Sequence, residues 1–327
     1  MVIAVDAAGG DYYPKSPVEG TVQAVEESKD LTVILVGPEA DINDELSQHD
    51  YDEKRIIVED APEVIGMDES PAQAVKTKQN SSIVKGLGMH KAGKCEGFVS
   101  AGNTGALLAA STFLLGKLEG VSRPTIAAVY PTIQGPRLMI DVGANLEVKP
   151  DMYVEFAQMG RIFVQEIMGV GDPQVGLLNV GEEEEKGTEN LKSAYKKLST
   201  LPNFVGNIEG RDIFPAKADV FLCDGLVGNL LLKFGESIPD ALEFFVKKGI
   251  QKLQLDKKEA QIVKKVLKSS LAEFDPEAVG GVPFLGVNGV SVVGHGSSSP
   301  LAVKNMILNA AKCVDHDINS KIVASLK

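Results

Sequence analysis

Residues 97–116 read GFVSAGNTGALLAASTFLLG, and this stretch decides the fold class. Its first four residues, 97–100, form an apolar run that predicts a buried strand, and residues 104–115 predict an apolar helix. Between them, Gly, Ser and Asn are typical of a tight turn. A strand that leads directly into a helix is the repeating unit of βαβ architecture, so the stretch predicts an α/β protein.

Similar small clusters of Gly, Asp, Asn, Ser or His follow apolar runs seven times along the chain. They occupy residues 6–11, 100–105, 141–145, 181–187, 209–211, 224–229 and 295–298. In a parallel sheet, loops at the carboxyl ends of the strands meet at one edge, where α/β proteins bind ligands. We therefore expect the clusters to converge on one edge and to form an active site.

Strand-like and helix-like runs alternate almost throughout the chain, without an internal repeat or a linker, which predicts a single domain over 1–327. The predicted strands are 2–6, 31–36, 55–58, 97–100, 125–130, 137–141, 175–180, 218–223 and 290–293. The predicted helices are 16–28, 71 onward, 104–115, 150–168, 188–198, a long stretch after 224, and 299–313. At the first helix, Ser16, Pro17 and Glu19 predict an N-cap, a first-turn proline and a capping box.

Residues 236–274 depart from this alternation and predict an amphipathic helical hairpin. Apolar residues recur there at helical spacing on two arms, and Asp256 with Glu259 caps the second arm. Each arm has roughly 20 residues and is about 30 Å long. Between residues 247 and 268, eight lysines face two carboxylates, a local charge of +6 in a chain whose net charge is -12. Such a hairpin suits packing against a second subunit, docking to an anionic membrane or acidic protein, or both.

Composition restricts the class of protein. With 327 residues, 44% of them hydrophobic, the chain can bury a large core. Its acidic balance argues against nucleic acid as a partner, because phosphate backbones are bound through concentrated Lys and Arg. The three cysteines contain no CxxC and indicate neither a disulfide framework nor a zinc site, which is typical of a cytoplasmic protein.

Nucleotide and metal motifs are incomplete or absent. Residues 88–95 resemble a Walker A loop, but Cys95 replaces the Ser or Thr that should hold magnesium. No GxGxxG, HExxH or GxSxG sequence is present. The glutamate run 182–185 is more typical of a solvated charge run than of a metal site. We expect neither a metal nor a cofactor.

Backbone N–H groups are the best candidates for binding an anion. Residues 9–10, 103–105 and 296–298 stand where helices or loops begin, and such positions bind phosphate without many cationic side chains. The alternative is that these glycines only serve tight turns. Among titratable groups, Lys186 and His295 lie in loops after predicted strands, although a lone histidine is commonly structural. Cys223 is more typical of core than of a nucleophile.

Taken together in order, the clusters carry a family resemblance. The motifs are IAVDAAGGD (3–11), SAGNTGA (100–106), DVGAN (141–145), GEEEEKG (181–187), DG (224–225) with GN (228–229), and HGSS (295–298). This set resembles the PlsX-type phosphate acyltransferases of bacterial phospholipid synthesis over nearly the whole chain. One departure is Ala8, which stands where the family pattern has Met.

The resemblance implies a fold and a reaction. The implied fold is a three-layer α/β/α arrangement with a mostly parallel sheet, like that of isocitrate and isopropylmalate dehydrogenases and of phosphotransacetylases. The implied reaction transfers an acyl group from acyl-[acyl carrier protein] to inorganic phosphate, without a cofactor, and gives acyl phosphate for a glycerol-3-phosphate acyltransferase. The family also implies a cytoplasmic homodimer that touches the membrane peripherally.

Acyl transfer to phosphate assigns roles to few side chains, because phosphate is already nucleophilic at neutral pH. We expect Lys186 to position phosphate and Asn229 to donate to the oxyanion. We expect His295, with Ser297 and Ser298, to supply further anion contacts or a proton for the thiolate. The other candidate substrate-binding residues are Asp6, Gly9, Gly10, Asp11, Gly102, Asn103, Thr104, Gly105, Asp141, Asn145, Asp224, Gly228 and Gly296.

Two alternatives remain open at this point. A phosphotransacetylase that acts on a short acyl-CoA would use the same chemistry with a different donor. A non-enzymatic, membrane-associated scaffold would need only the basic hairpin.

Overall fold

The computed structural model describes residues 1–274, 277 and 280–327. Within these residues the strands are β1 (Val2–Asp6), β2 (Thr32–Gly37), β3 (Ile56–Asp60), β4 (Gly97–Ser100), β5 (Thr125–Tyr130), β6 (Arg137–Ile140), β7 (Val175–Leu178), β8 (Phe204–Ile208), β9 (Val220–Leu222), β10 (Val282–Leu285) and β11 (Val290–Val293). The α-helices are α1 (Lys15–Glu27), α2 (Glu39–Leu46), α3 (Pro71–Thr77), α4 (Ser82–Lys91), α5 (Thr104–Leu114), α6 (Pro150–Glu166), α7 (Glu189–Leu198), α8 (Gly225–Lys252), α9 (Lys257–Ser270), α10 (Pro300–Asp315) and α11 (Ile318–Ser325).

The eleven strands form one sheet in the order β3-β2-β1-β4-β11-β10-β5-β6-β9-β7-β8. Most neighbours are parallel, but β10 is antiparallel to both β11 and β5, and β5 is antiparallel to β6. As a result, β1 to β5 and β11 run in one direction, and β6 to β10 run in the opposite direction. The prediction of an α/β fold with a large, mostly parallel sheet is confirmed.

Helices cover both faces of the sheet. On β1, Ile3 and Val5 pack in a core with Val18 of α1 and Ile307 of α10. The intervening residue, Ala4, belongs to a second core that includes residues of α4 and α5. This period of two is expected for a strand whose two faces are both buried, and it produces three layers.

Most predicted elements lie within a few residues of their expected bounds, and the misses have identifiable causes. The predicted N-cap at Ser16 is wrong: α1 begins at Lys15, Ser16 is buried inside it, and its N–H already donates to the carbonyl of Tyr12 at 2.9 Å. Strand β10 contains Pro283 and β8 contains Gly206, both of which weaken a strand pattern. The Walker-like residues 88–95 lie on the end of α4 and the turn after it, without the preceding strand that a nucleotide loop needs.

Two long helices occupy the segment predicted as a hairpin. Helix α8 has 28 residues and continues through Pro239, while α9 has 14 residues. Four residues separate them, and Asp256 and Glu259 form the predicted capping box, with Asp256 accepting from the Glu259 N–H at 2.9 Å. The arms are therefore less equal than predicted, and the hairpin as an inserted unit stays a prediction. No helix in the described part of the chain is long and apolar enough to cross a membrane.

Candidate functional site

The predicted loops fall into two groups at opposite edges of the sheet. Residues 6–11, 100–105 and 294–299 follow β1, β4 and β11, and we call them the first-edge cluster. Residues 141–145, 179–187, 209–211 and 224–229 follow β6, β7, β8 and β9, and we call them the second-edge cluster. The expectation that all the loops converge on one edge is wrong, because the antiparallel strands reverse the direction of the chain between the two groups.

In the first-edge cluster, a buried carboxyl group ties two loops together. Asp6 accepts hydrogen bonds from the Ala8 N–H at 3.1 Å and from the Ser100 hydroxyl at 2.6 Å. The Ser100 oxygen in turn accepts from the Gly102 N–H at 3.0 Å. Burial raises the pKa of Asp6, and these hydrogen bonds act in the opposite direction. Asp6 therefore holds the first glycine loop against the loop after β4.

The glycines of this cluster permit close contact between loops. A Cβ on Gly9 would lie 2.4 Å from the Asp6 carboxylate and 2.9 Å from the Gly102 nitrogen. The Asp11 N–H donates to the Gly296 carbonyl at 2.7 Å, so the loop after β11 joins the other two. A side chain at Gly9 would separate these loops.

Asn103 caps α5 and is fully engaged. Its side-chain oxygen accepts from the Ala106 N–H at 3.0 Å, and its amide nitrogen donates to the carbonyls of Gly66 and Glu69 at 3.1 and 3.2 Å. Asn103 therefore orients the helix, and any anion at this point would meet the exposed start of α5 at Thr104.

His295 lies at the exposed side of the first-edge cluster. Its Nδ1 lies 2.7 Å from the Ser297 hydroxyl and accepts from the Ser297 N–H at 3.2 Å. The Ser298 hydroxyl donates to the His295 carbonyl at 2.6 Å. Because Nδ1 accepts, the neutral ring carries its proton on Nε2, which is left as a donor.

In the second-edge cluster, Asp141 is completely buried and organises the loop that follows it. Its carboxylate accepts from the N–H groups of Gly143 and Ala144 at 3.0 Å each and of Asn145 at 2.7 Å. The Asn145 side chain donates to it at 2.8 Å and to the Pro124 carbonyl at 3.0 Å. Both side chains are therefore occupied by the protein itself.

Helix α8 begins directly on this loop. Asp224 caps it by accepting from the Val227 N–H at 2.8 Å, and the Gly225 N–H donates to the Asn145 carbonyl at 2.7 Å. A Cβ on Gly228 would lie 1.8 Å from the Asp141 carbonyl oxygen. Only glycine allows this approach.

Because Gly228 has no side chain, the start of α8 lies close to the loop after Asp141, and Asn229 comes near Gly143 of that loop. The side-chain nitrogen of Asn229 would lie 3.3 Å from a Cβ on Gly143, so it faces backbone that carries no side chain. Asn229 is exposed, and its carboxamide makes no hydrogen bond to the described residues. Asn229 is therefore a free polar group at this edge, unlike Asp141 and Asn145.

Cys223 belongs to the core. Its thiol donates to the Asp141 carbonyl at 3.3 Å, and burial raises its pKa well above the usual range. A thiol held protonated in this way is a poor nucleophile, as the sequence led us to expect.

Lys186 lies in a loop that asparagines hold in place. The Asn179 side chain donates to the Lys186 carbonyl at 3.1 Å, and Asn207 donates to the Glu183 carbonyl at 2.8 Å. The Lys186 ammonium is half exposed and lies 4.0 Å from a Glu183 oxygen, a loose pairing. Because β7 pairs with β9, the Lys186 loop leaves the same edge of the sheet as the segment that leads into α8.

The sequence did not single out three residues near this edge. Asn179 and Asn207 fix the Lys186 loop, and Lys217 binds Glu182 at 2.7 Å, which raises the pKa of Lys217. The positions of the two asparagines at the ends of apolar runs could have identified them as candidate loop-stabilising residues. Lys217 carried no pattern of its own.

The fold resembles that of solved phosphotransacetylases. The phosphotransacetylase from Streptococcus pyogenes superimposes with a TM-score of 0.61 over 96% of this chain and 94% of that chain, at 15% identity. The EutD phosphotransacetylase from Staphylococcus aureus gives 0.60 over the same shares, also at 15% identity. The chain therefore has a phosphotransacetylase-like architecture.

Sequence relatives define the family. The family model described as "Fatty acid synthesis protein" matches residues 1–321. The phosphate acyltransferase of Chlorobaculum parvum is 46% identical, covering 100% of this chain and 99% of the relative. That of Clostridium perfringens strain SM101 is 43% identical, covering 98% and 96%. The chain belongs to the phosphate acyltransferase family of fatty acid synthesis proteins and is an acyltransferase, which confirms the predicted resemblance.

Proposed function

We propose that this acyltransferase moves a fatty acyl group from acyl-[acyl carrier protein] to inorganic phosphate, giving acyl phosphate for phospholipid synthesis. The observation that carries the proposal is the second-edge cluster. It combines a half-exposed cation, Lys186, on the loop after β7 with an unengaged amide, Asn229, near the start of α8, which follows the adjacent strand β9. The names of the relatives support phosphate as the acceptor.

The proposed reaction is one displacement at a thioester carbonyl. A phosphate oxygen forms a bond to the carbonyl carbon, a tetrahedral oxyanion develops, and the C–S bond then breaks to release the carrier thiolate, which takes a proton. Lys186 neutralises and positions phosphate, and the Asn229 amide donates to the oxyanion.

His295 has a separate part in this proposal. With Ser297 and Ser298 it lies at the opposite strand ends from Lys186, so we assign it further anion contacts with the acyl donor. Its Nε2–H is the free donor for such a contact.

The surface of α8 and α9 supports proposals about partners. In the single chain, Phe234, Phe245 and Leu253 are 66%, 63% and 70% exposed, and no residue of α9 is buried. We assign the apolar face to a second copy of the chain, as a homodimer. We assign the lysines to the acidic carrier protein and to an anionic, peripherally contacted membrane surface in the cytoplasm, where a glycerol-3-phosphate acyltransferase would consume acyl phosphate.

The test is to incubate the purified protein with palmitoyl-[acyl carrier protein], with and without inorganic phosphate, and to detect acyl phosphate by mass spectrometry. Product that depends on phosphate supports the proposal. The second candidate, a phosphotransacetylase using short acyl-CoA, is favoured by the likeness of the fold to phosphotransacetylases. Turnover of acetyl-CoA in place of the carrier substrate would favour this second candidate.

A further inference from the structure

Helix α6 crosses the strands that end in the second-edge cluster, with its first turn at that edge. Its Gly160 packs closely on them, since a Cβ there would lie 2.7 Å from Val220 and 3.0 Å from Ile140. Tyr153 lies on the same face of α6 as Gly160, seven residues and about 10.5 Å nearer the start of the helix. Cys223 directly follows β9, three residues and about 10 Å beyond Val220. Tyr153 therefore lies level with Cys223 and Asp224.

Electrostatics agree with this placement. Burial, and then the negative charges of Asp224 and Asp141, raise the pKa of Tyr153 above its usual range. The phenol therefore keeps its proton at neutral pH and is available as a hydrogen-bond donor.

The Tyr153 side chain is rigidly held but its hydroxyl has no partner. The residue is 2% exposed, and its ring lies edge-on to Phe156 with centroids 6.5 Å apart. Within residues 1–274, 277 and 280–327, the hydroxyl makes no hydrogen bond. The hydroxyl oxygen is not among the fully enclosed atoms without a partner, so the ring is fixed in the core while the hydroxyl remains open to a ligand.

The neighbouring acids do not compete for that ligand position. Asp141 already accepts from three consecutive N–H groups, and Asp224 accepts from the Val227 N–H. Tyr153 is thus a neutral donor at the edge of the sheet from which the Lys186 loop also emerges, and this combination of groups suits an anion.

We propose that the Tyr153 hydroxyl donates a hydrogen bond to the inorganic phosphate bound at the second-edge cluster. This inference rests on the proposed function in taking phosphate as the acceptor. It adds a phosphate-binding residue that the sequence motifs do not include.

The test compares Tyr153→Phe with wild type, using Tyr195→Phe as the matched control. Tyr195 also lies edge-on to a phenylalanine, Phe204, but on α7. We expect Tyr153→Phe to raise the KM for phosphate by roughly 10- to 100-fold, the usual range for losing a hydrogen bond to a charged group. The unfolding midpoint without phosphate should not fall, because no internal hydrogen bond is lost. Tyr195→Phe should leave the KM unchanged.

A second measurement separates this inference from the proposed function. Inorganic phosphate should raise the unfolding midpoint of wild type, and Tyr153→Phe should need correspondingly more phosphate for the same rise. If wild type makes no acyl phosphate but the variant loses this response, the proposed function fails and the inference stands. If the variant matches wild type in both KM and phosphate response, the inference is overturned.

Discussion

Replacing Gly228 with alanine tests whether the close contact of α8 with the Asp141 loop positions the catalytic edge. The new Cβ would lie 1.8 Å from the Asp141 carbonyl oxygen and 2.9 Å from the Cys223 sulfur. Reaching even 3.0 Å from the oxygen requires a displacement of about 1.2 Å, and the first atom met is backbone, which cannot rotate away. Asn229, the next residue, would move with the helix.

The magnitude follows from this displacement. A misplacement of about 1 Å costs roughly 10²-fold in rate, so we expect kcat to fall by about that factor. Overpacking costs about 1–3 kcal/mol, partly offset by the roughly 1 kcal/mol helix preference of Ala over Gly. The net free energy of unfolding should therefore fall by roughly 0–2 kcal/mol.

The assay is acyl phosphate production under saturating substrates, together with urea unfolding. Gly88→Ala inside α4 is the control, because a Cβ there meets nothing within 4 Å and the residue lies outside the proposed site. It should keep full activity and gain up to about 1 kcal/mol of stability. If Gly228→Ala retained a kcat within threefold of wild type, the reasoning that this contact positions Asn229 would be refuted.

The remaining predictions concern the charged and amide groups. Lys186→Ala should lower kcat by at least roughly 10²-fold with little change in the unfolding midpoint, whereas Lys192→Ala, which removes only an exposed pair with Glu189, should be near wild type in the same assay. Asn229→Ala should also cost roughly 10²-fold in kcat without loss of stability, since its carboxamide bonds to no described residue; equal loss of activity and stability would assign it a structural role. Lys257→Glu and Lys258→Glu should raise the apparent KM for the acyl carrier substrate or weaken binding to anionic vesicles, measured by cosedimentation; no change in either would leave the basic surface without this role.

The positions of many strands and helices could be predicted because apolar runs and capping residues lie within the elements themselves. Strand β4 has its predicted bounds, 97–100, and helix α5 begins at Thr104 as predicted. The turn between them carries a clear local signal, because Asn103 interrupts the apolar run and caps the helix. β11 also matches its predicted bounds, 290–293. β10 was missed because Pro283 interrupts the strand pattern and the segment is only four residues long.

Strand direction could not be predicted from the same signals. Apolar periodicity is identical for parallel and antiparallel neighbours when both faces are buried. The missed β10 lies between β11 and β5 and is antiparallel to both, and β5 is antiparallel to β6. Without these pairings the seven loops could only be assigned to one edge, and the separation of His295 from Lys186 was not foreseeable.

The two edges have the same local structure, a buried aspartate that accepts hydrogen bonds from the loop after it. This structure distinguishes residues that hold the loops from residues whose polar groups remain available to a ligand. At each edge a buried aspartate follows or ends a strand, and its carboxylate accepts the N–H two residues later, Ala8 from Asp6 and Gly143 from Asp141. These aspartates were predicted to bind substrate, but their hydrogen-bonding capacity is spent on the loops. Near the second edge, the Asn229 carboxamide and the Tyr153 hydroxyl bond to no described residue, and Lys186 is only loosely paired. A ligand bonds most readily to groups that the fold has not already satisfied, so our proposal assigns the chemistry to Lys186, Asn229 and Tyr153 at one edge and to His295 at the other, while Asp6 and Asp141 hold the loops around them.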